Sequence, residues 1–413
     1  MEYGCIGEHL KHSFSKEIHN AFAEYEYEIR EIEKENLGDF AKTGDFRGIN
    51  VTIPYKELIM PFLHSIDEAA KAIGAVNTVV NKNGRLFGYN TDFYGMSELI
   101  RHAGIGVNEK KVIVLGTGGT SKTAVAVASS MGAREIVRVS RTAKEDAIDY
   151  EILYKEHTDA QIIINTTPVG MYPDISGKPI ALSAFPNLHG VIDAIYNPLR
   201  TPLIQEAMSL NIPAEGGLYM LVAQAIRASE IFLNKSYPAD TCDRVYREIL
   251  SSKENIVLVG MPSSGKSTVG KIIAEKMGRE FIDTDEIIVK NYGANIPEIF
   301  KDHGETHFRA LECDAVKEAA AHSSAVIATG GGAVLNSQNI ALLKENGRLY
   351  FLDRPFDKLI PTSDRPLSSD IDALKKRYDE RFPIYNAVCD EKIVASDSAE
   401  SVAEQIISIA LKN

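Results

Sequence analysis

Two short aliphatic runs, each followed by a glycine-rich loop and then by a helical pattern, stand far apart in the chain. The first run, Lys111–Leu115, leads into the loop of residues 116–121, and the second, Asn255–Val259, leads into residues 260–268. A strand, a glycine loop and a helix in this order are typical of βαβ units, which build parallel sheets covered by helices. The pattern therefore predicts an α/β protein.

The alternation of strand-like and helical stretches divides the chain into three units. Before the first glycine loop, strand-like stretches at residues 47–53 and 75–81 are separated by helical ones. We expect an N-terminal α/β domain at residues 1–100, a nucleotide-binding Rossmann domain at 101–235 and a third α/β domain with a parallel sheet at 254–413. The helical periodicity of residues 398–411 predicts a closing helix.

Composition narrows the class of protein. The 413 residues are 44% hydrophobic and 25% charged, which is typical of globular domains, and the net charge of −12 disfavours a nucleic-acid partner. Cysteines without metal-ligand spacing predict reduced thiols in a cytoplasmic protein. We expect no signal peptide and no membrane span, and a monomer or a homodimer. His303 and His307 are predicted to be solvated.

The first glycine loop is close to the G-x-G-x-x-G pattern of dinucleotide-binding sites. Gly116 permits the tight turn, Gly118 lets the backbone approach a pyrophosphate, and Ser121 is small enough for the helix to pack on the strand. The N-terminus of the following helix attracts the anion.

A cation after the next strand indicates which dinucleotide binds. The run Glu135–Val139 is followed by Ser140, Arg141 and Thr142, where an NAD enzyme carries an acidic residue. A guanidinium there suits the 2′-phosphate of NADP. The sequence therefore predicts NADP(H) as cofactor.

Ordered motifs around this site resemble those of shikimate dehydrogenases. They are HSFSKEIHN (12–20), GINVTIPYK (48–56), GAVNT (74–78), GYNTD (88–92), NTTPVGM (165–171), DAIYNP (193–198) and GLYMLVAQ (217–224). The resemblance implies reduction of 3-dehydroshikimate to shikimate, and it implies that helices at about 216–250 return to the N-terminal domain, where the substrate binds.

The resemblance also implies roles for individual residues. Lys56 and Asp92 would be the catalytic pair, because hydride transfer to a ketone leaves an oxyanion that a positioned ammonium can neutralise. The implied substrate contacts are Ser13, Ser15, Thr52, Asn77, Asp92, Tyr196 and Gln224. The implied NADP contacts are Gly116, Gly118, Gly119, Thr120, Ser140, Arg141, Thr142 and Gly217.

The second glycine loop matches the P-loop pattern G-x-x-x-x-G-K-[ST] over residues 260–267. In such a loop the backbone amides cradle phosphates, the lysine reaches the β- and γ-oxygens, and the Ser or Thr hydroxyl binds Mg²⁺. The predicted ATP contacts are Gly260, Ser263, Ser264, Gly265, Lys266, Ser267 and Thr268. The sequence therefore predicts ATP and Mg²⁺ as ligands.

The remainder of residues 254–413 resembles shikimate kinases. The matching stretches are FIDTD (281–285), GETHFR (304–309), GGGA (330–333), DRPL (364–367) and RFPIY (381–385). The resemblance implies that Asp283 joins Ser267 at Mg²⁺, that Asp285 polarises the attacking hydroxyl and that Lys266 and Arg365 act in catalysis, Arg365 also contacting ATP. The implied substrate contacts are Asp285, Arg309, Gly331, Gly332 and Arg381.

Two alternatives stay open at this point. The first half could prefer quinate or a related hydroxy acid, because such enzymes share most of these motifs. One half could instead be a regulatory nucleotide-binding module, and the stretch of residues 358–364, which is short and poor in basic residues for this family, leaves that open for the kinase. Lys358 or Arg354 could supply the missing charge.

Overall fold

The computed structural model describes residues 1–8, 10, 13–144, 146–359, 371–395 and 397–412 and divides into the units Met1–Ile249 and Leu250–Asn413. The division falls within one helix, Thr241–Lys253.

A mixed sheet forms the first part of the first unit. Its strands are β1 (Tyr3–Gly7), β2 (Tyr27–Glu31), β3 (Gly48–Val51), β4 (Ser65–Ile66), β5 (Thr78–Lys82) and β6 (Arg85–Tyr89), in the spatial order β2-β1-β3-β5-β6-β4. Strand β1 is parallel to β2 and β3, whereas β5 is antiparallel to β3 and β6. The helices of this part are α1 (Ser15–Phe22), α2 (Leu37–Thr43), α3 (Tyr55–Leu58), α4 (Glu68–Ile73) and α5 (Asp92–His102).

The predicted strand at residues 75–81 begins only at Thr78. The backbone N–H groups of Val76 and Asn77 bond instead to the carbonyls of Lys56 and Tyr89, at 2.8 and 3.1 Å. These bonds tie the segment before β5 to α3 and to the end of β6, where the predicted catalytic residues lie.

A parallel sheet forms the second part of the first unit. Its strands are β7 (Lys111–Leu115), β8 (Glu135–Val139), β9 (Ile162–Asn165), β10 (Gly190–Asp193) and β11 (Ala214–Glu215), in the order β11-β10-β9-β7-β8. Its helices are α6 (Gly119–Ser130), α7 (Tyr150–Glu156) and α8 (Pro202–Ser209). Strands β7, β9 and β10 are buried on both faces, as their continuous aliphatic sequences predict.

Helix α9 (Leu218–Leu233) packs along α5, and α10 (Thr241–Lys253) follows it. A Cβ at Gly95 of α5 would lie 2.6 Å from the carbonyl oxygen of Met220, so this close approach requires glycine. Helix α9 also contacts α1. The chain therefore returns to the N-terminal sheet after the nucleotide-binding part.

The second unit contains one parallel sheet. Its strands are β12 (Asn255–Val259), β13 (Glu280–Asp283), β14 (Ala325–Ala328), β15 (Gly347–Asp353) and β16 (Glu391–Val394), in the order β13-β14-β12-β15-β16. Its helices are α11 (Lys266–Met277), α12 (Thr284–Tyr292), α13 (Ile296–Ala320), α14 (Ser337–Asn346), α15 (Ile371–Val388) and α16 (Ala399–Ala410). Helix α13 is kinked at Gly304, where φ is 77° and ψ is 178°.

The predicted α/β fold class is confirmed in both units. Helix α16 is the predicted closing helix, and it packs on α11. Because the strands of the second sheet and of the third sheet are parallel, their carboxyl ends meet at one edge of each sheet, where ligands of α/β proteins bind.

Candidate active sites

Lys56 and Asp92 form an ion pair at the edge of the first sheet. Lys56 lies in α3, and its Nζ donates to Asp92 Oδ2 at 2.6 Å. Asp92 is the first residue of α5, where the helix dipole favours a carboxylate. The side chains of Lys56 and Asp92 are 18% and 9% exposed to solvent, so the pair is largely shielded from water. This geometry fixes an ammonium proton in a partly dry site, as proton transfer to an oxyanion requires.

Asn77 holds the other oxygen of Asp92. Its Nδ2 donates to Asp92 Oδ1 at 2.8 Å and to Thr91 Oγ1 at 3.0 Å, while its Oδ1 accepts the Thr91 backbone N–H at 2.7 Å. Thr91 Oγ1 also lies 3.5 Å from Oε1 of Gln224 in α9. The structure thus brings Lys56, Asn77, Asp92 and Gln224 into one network.

Ser13 and Ser15 lie in the turn that begins α1. The Ser13 hydroxyl donates to Ser15 Oγ at 3.0 Å, and the Ser15 N–H donates to Ser13 Oγ at 3.3 Å. The ring of Phe14 packs on the ring of Tyr196, with centroids 5.2 Å apart. Burial raises the pKa of Tyr196, so its hydroxyl remains a neutral donor. The turn therefore brings the Ser13 and Ser15 hydroxyls together, and the neighbouring residue Phe14 contacts the Tyr196 ring.

Thr52 joins the same edge of the sheet through close packing. A Cβ at Gly7, the last residue of β1, would lie 2.7 Å from Thr52 Cγ2. The parallel pairing of β1 with β3 brings the two segments together. Thr52 therefore lies between the end of β1 and the helix that carries Lys56.

The first glycine loop has the geometry that the sequence predicts. Gly116 has a φ of +110°, and a side chain there would meet Thr166 Oγ1 at 2.7 Å. Ser121 is buried and donates to the Gly116 carbonyl at 2.6 Å, which joins the helix to the loop. Within the described residues, a Cβ built at Gly118 or Gly119 would meet no atom within 4 Å beyond the adjoining residues and the backbone of its own helix. That space at the N-terminus of α6 fits a pyrophosphate.

Basic side chains surround this loop. Lys144 Nζ donates to Thr117 Oγ1 at 3.2 Å, and Arg138 Nη2 donates to the Thr117 carbonyl at 3.4 Å. Arg141 is exposed in the turn after β8. The sequence reasoning missed Arg138, because a charged residue within a strand usually points to solvent. The other predicted NADP contacts occupy three places in the fold. Thr120 lies in α6, Ser140 and Thr142 flank Arg141 after β8, and Gly217 directly precedes α9.

Gly217 has no room for a side chain. A Cβ there would lie 2.2 Å from the carbonyl oxygen of Ala194, and the Gly217 N–H donates to the Ile195 carbonyl at 2.8 Å. The glycine therefore allows α9 to start against the segment after β10. Its predicted contact with NADP stays a prediction.

The second glycine loop forms a P-loop around a buried lysine. The φ angles are positive at Gly260 (+149°), Ser263 (+63°) and Gly265 (+95°). Lys266 Nζ donates to the carbonyls of Gly260 and Met261 at 3.0 and 2.9 Å. A cavity of about 340 Å³ opens over the loop; Ser264 is buried and does not line it. Its lining includes Ser263, Gly265, Lys266, Ser267, Thr268 and Asp283.

Ser267 and Asp283 meet at the edge of this cavity. The Ser267 hydroxyl donates to Asp283 Oδ2 at 2.6 Å, and Asp283 Oδ1 accepts the Asp285 N–H at 2.9 Å. A hydroxyl and a carboxylate are oxygen ligands of the kind that Mg²⁺ binds beside substrate phosphates. In the part of the chain that the structure describes, no cluster of three or more His, Cys, Asp or Glu could hold a metal. The residues present fit an ion that phosphates help to bind.

A second cavity of about 460 Å³ adjoins the P-loop cavity. Arg381 Nη1 and the Tyr385 hydroxyl both donate to the Gly331 carbonyl, at 2.9 and 2.5 Å. Both cavities are lined by Ser267, Asp283 and Asp285. A phosphoryl group could therefore pass there from a ligand in one cavity to a ligand in the other. The predicted substrate residues Asp285, Arg309, Gly331, Gly332 and Arg381 all line the larger cavity.

Arg309 is positioned by two carboxylates. Its Nη1 donates to Glu312 Oε2 at 2.8 Å and its Nη2 to Glu305 Oε1 at 2.9 Å. Burial raises the pKa of Glu312, and Arg309 opposes that shift. The sequence reasoning missed Glu312 and Tyr385 as site residues. Glu312 lies one helical turn after Arg309, and Tyr385 lies one helical turn after Arg381.

Arg365, predicted to act in catalysis and to contact ATP, lies outside the described residues, as does the whole stretch of residues 360–370. Just before that stretch, Arg354 and Lys358 line the P-loop cavity. Both residues are expected from the sequence as possible sources of the positive charge that residues 358–364 lack.

The prediction that His303 and His307 are both solvated is wrong for His307. The two rings lie 4.9 Å apart, and Tyr292 packs edge-on against both. His303 is exposed, whereas His307 is half-buried with its Nε2 shielded from water. Tyr292 belongs to α12, so α12 contacts this face of α13, which the periodicity of α13 alone could not predict.

Among the residues that the structure describes, no helix combines the length and the apolar character that crossing a bilayer requires. The cysteines are free thiols, and Cys5 is buried.

Known protein families match both units. A family model for the shikimate dehydrogenase substrate binding domain matches residues 5–79, and one for shikimate kinase matches residues 262–410. The shikimate dehydrogenase (NADP(+)) of Clostridium beijerinckii is 39% identical over 245 residues, which are 56% of this chain and 91% of that protein.

Solved structures agree for the first unit. Shikimate dehydrogenase 1 from Peptoclostridium difficile is 38% identical with a TM-score of 0.56, covering 60% of this chain and 98% of that one. The Thermus thermophilus shikimate 5-dehydrogenase, in complex with NADP(H) and shikimate, is 29% identical with a TM-score of 0.55, covering 60% and 99%. The chain therefore belongs to the shikimate dehydrogenase family and carries a shikimate kinase domain in the same polypeptide, which makes it a bifunctional enzyme of the shikimate pathway that uses NADP(H) and ATP.

Proposed function

We propose that the first unit reduces 3-dehydroshikimate to shikimate and that the second unit phosphorylates the shikimate so formed. One observation most strongly supports the idea that the two units share a ligand. Each unit combines donors for a carboxylate with a carboxylate for ring hydroxyls, beside a nucleotide site: Ser13 and Asp92 in the first, Arg381 and Asp285 in the second. Both sites therefore suit the same small polyhydroxy acid.

In the dehydrogenase, Lys56 is the proposed proton donor. Bound NADPH supplies the hydride to the carbonyl carbon. As charge develops on the carbonyl oxygen, Lys56 Nζ gives its proton to that oxygen, and Asp92 keeps the ammonium in position. Asp92 also accepts a hydrogen bond from a ring hydroxyl. Ser13, Ser15 and Tyr196 bind the substrate carboxylate, and Thr52, Asn77 and Gln224 contact the ring hydroxyls.

In the kinase, Asp285 is the proposed partner of the attacking hydroxyl. Bound ATP supplies the phosphoryl group, and the loop that contains Lys266 binds the phosphates of ATP. Asp285, at the junction of the two cavities, accepts a hydrogen bond from a ring hydroxyl of the substrate. This bond directs the hydroxyl oxygen towards the γ-phosphate. Arg309 and Arg381 bind the carboxylate from the far side. Ser267 and Asp283 would hold Mg²⁺, and Arg365 would contact the transferring group.

The proposal extends to organisation and surroundings. The domains are proposed as residues 1–100 with 216–250, residues 101–235, and residues 254–413. The free cysteines fit a cytoplasmic enzyme, and we propose a monomer or a homodimer that binds neither nucleic acid nor membrane. Sedimentation equilibrium of the full chain distinguishes the two assembly states.

The two activities are tested on the purified full chain. We expect NADP⁺-dependent oxidation of shikimate, Mg²⁺-dependent consumption of ATP with shikimate, and a higher kcat/KM for shikimate than for quinate. Starting from 3-dehydroshikimate, NADPH and ATP together should yield phosphorylated shikimate. Absence of either single activity from folded protein would refute the proposal.

Matched lysine variants assign the two sites. Lys56→Ala should lower only the dehydrogenase rate, by about 10²–10⁴-fold, because it removes the proton donor. Lys266→Ala should abolish only the kinase rate. Each variant is the folding control for the other unit, and an unchanged rate in the targeted unit would refute that residue's role.

A further inference from the structure

The stretch of residues 359–370, a few residues after β15, is poor in positive charge for a domain that binds a triphosphate. From Leu359 to Asp370 the sequence has one basic residue, Arg365, and two acidic ones, Asp364 and Asp370. ATP bound with Mg²⁺ keeps negative charge on its β- and γ-phosphates, and transfer of the phosphoryl group needs cations placed around them. Other basic residues should therefore contribute.

Arg354 is in the right place to contribute. It is the first residue after β15, and β15 pairs in parallel with β12, so Arg354 and the P-loop leave the sheet at the same edge. Arg354 lines the P-loop cavity with Lys266 and Ser267. Its Nη1 lies 3.9 Å from the position of a Cβ at Gly265, in the middle of the loop.

The backbone holds the arginine in this position. Arg354 Nε donates to the Lys358 carbonyl at 3.1 Å, and the Arg354 N–H donates to the Leu352 carbonyl at 3.1 Å. The first bond uses Nε, so Nη1, which lies nearest Gly265, does not take part in it. Lys358 lines the same cavity, which adds a second charge. A planar guanidinium suits two phosphate oxygens at once.

We propose that Arg354 binds the β- and γ-phosphates of ATP and supplies positive charge that the following segment lacks. The inference rests on the proposed kinase function of the second unit. Because Arg354 approaches Gly265, it should contact the phosphate chain rather than the base. Nucleotides with a β-phosphate should therefore depend on Arg354, and AMP should not.

The test compares Arg354→Ala and Arg354→Lys in the full chain. We expect Arg354→Ala to lower kcat/KM for ATP and the affinity for ADP by at least about tenfold, as for loss of a hydrogen bond to a charged group. The affinity for AMP and the KM for shikimate should stay within about twofold of the wild type. Arg354→Lys should recover part of the loss, because it restores the charge without the fork.

Controls separate this inference from the function on which it rests. Lys376→Ala removes an exposed charge from α15 and should change nothing, and dehydrogenase activity measures the amount of intact chain. If Lys266→Ala leaves the kinase rate unchanged, the proposed kinase function itself fails. If Lys266→Ala abolishes that rate while Arg354→Ala leaves ATP and ADP unaffected, or weakens AMP as much as ADP, the role of Arg354 is overturned.

Discussion

Ser267 donates its hydroxyl to Asp283 Oδ2 at 2.6 Å, which joins the start of α11 to the end of β13. Asp283 also caps α12, because its other oxygen accepts the Asp285 N–H at 2.9 Å. One carboxylate thus has a structural oxygen towards the helix and a second oxygen towards the phosphate cavity. The two tasks can be separated by one substitution.

Asp283→Asn should weaken Mg²⁺ binding without unfolding the unit. The amide oxygen can still cap α12, whereas the negative charge at the cavity is lost. We expect the Mg²⁺ concentration for half-maximal kinase rate to rise about 10–100-fold, the range for loss of a group that supports a metal. Titration of Mg²⁺ at saturating shikimate measures this shift.

The control is Asp302→Asn on the exposed face of α13, which should keep the wild-type titration. Excess Mg²⁺ should restore most of the rate of Asp283→Asn. An unchanged Mg²⁺ midpoint in Asp283→Asn would mean that this carboxylate does not help to bind the ion.

Asp92→Asn should leave Lys56 without its ion-pair partner at 2.6 Å. The amide oxygen can still accept from Asn77, so the fold of the site should persist, but the ammonium loses the charge that positions it. We expect kcat/KM for shikimate oxidation to fall by about 10²–10⁴-fold while kinase activity is unchanged.

Asp39→Asn is the matched control, because Asp39 pairs with Lys42 at 3.9 Å on an exposed surface. Exposed pairs contribute little, so both activities should remain. Equal dehydrogenase rates for Asp92→Asn and the wild type would rule out the proposed pair.

Arg141→Ala should reduce the preference for NADPH over NADH. Arg141 lies in the turn after β8, where the ribose of a dinucleotide reaches in this fold, and only NADPH carries the 2′-phosphate. We expect kcat/KM for NADPH to fall by about tenfold or more and that for NADH to change little.

Arg134→Ala, at the opposite end of β8, should leave the ratio unchanged. Lys144 and Arg138 remain beside the loop in both variants and keep part of the attraction. An equal loss for the two cofactors would show that Arg141 has another role.

The sequence was sufficient for residues whose motif fixes both their element and their chemistry. The P-loop pattern predicts Lys266 and Ser267 at a helix start after a strand, and they lie there. Ser121 in the third position of the dinucleotide loop also packs as predicted. In these cases the chemistry depends on backbone geometry that a few adjacent residues determine.

Residues that meet only in three dimensions could not be predicted in this way. Arg138 and Glu312 are charged residues in a strand and a helix, and most such residues are solvated. The burial of Glu312 and the contact of Arg138 with the loop follow from the packing of neighbouring elements, which the order of residues does not record. His307 is similar, because the ring that packs against it, Tyr292, belongs to another helix.

His19 gives a prediction about stability and pH. It is fully buried in α1, its ring stacks on Tyr27 at 3.7 Å, and its Nδ1 lies 2.8 Å from the Tyr25 hydroxyl. Burial lowers the pKa of His19 to about 3 from its ordinary 6.5. The folded protein therefore keeps the ring neutral, whereas the unfolded chain takes up a proton below pH 6.5.

The stabilisation from His19 is thus complete above pH 6.5 and is lost progressively as the pH falls from there towards 3. The loss is about 1.4 kcal/mol for each pH unit. In His19→Gln, the free energy of unfolding of the first unit should fall less steeply between pH 6.5 and 5. Urea unfolding at several pH values measures the slope, and the transition of this unit is the one that NADP⁺ shifts.

His189→Gln, which removes an exposed histidine, should keep the wild-type slope. If His19→Gln also kept that slope, the buried ring would not be the group that takes up the proton on unfolding.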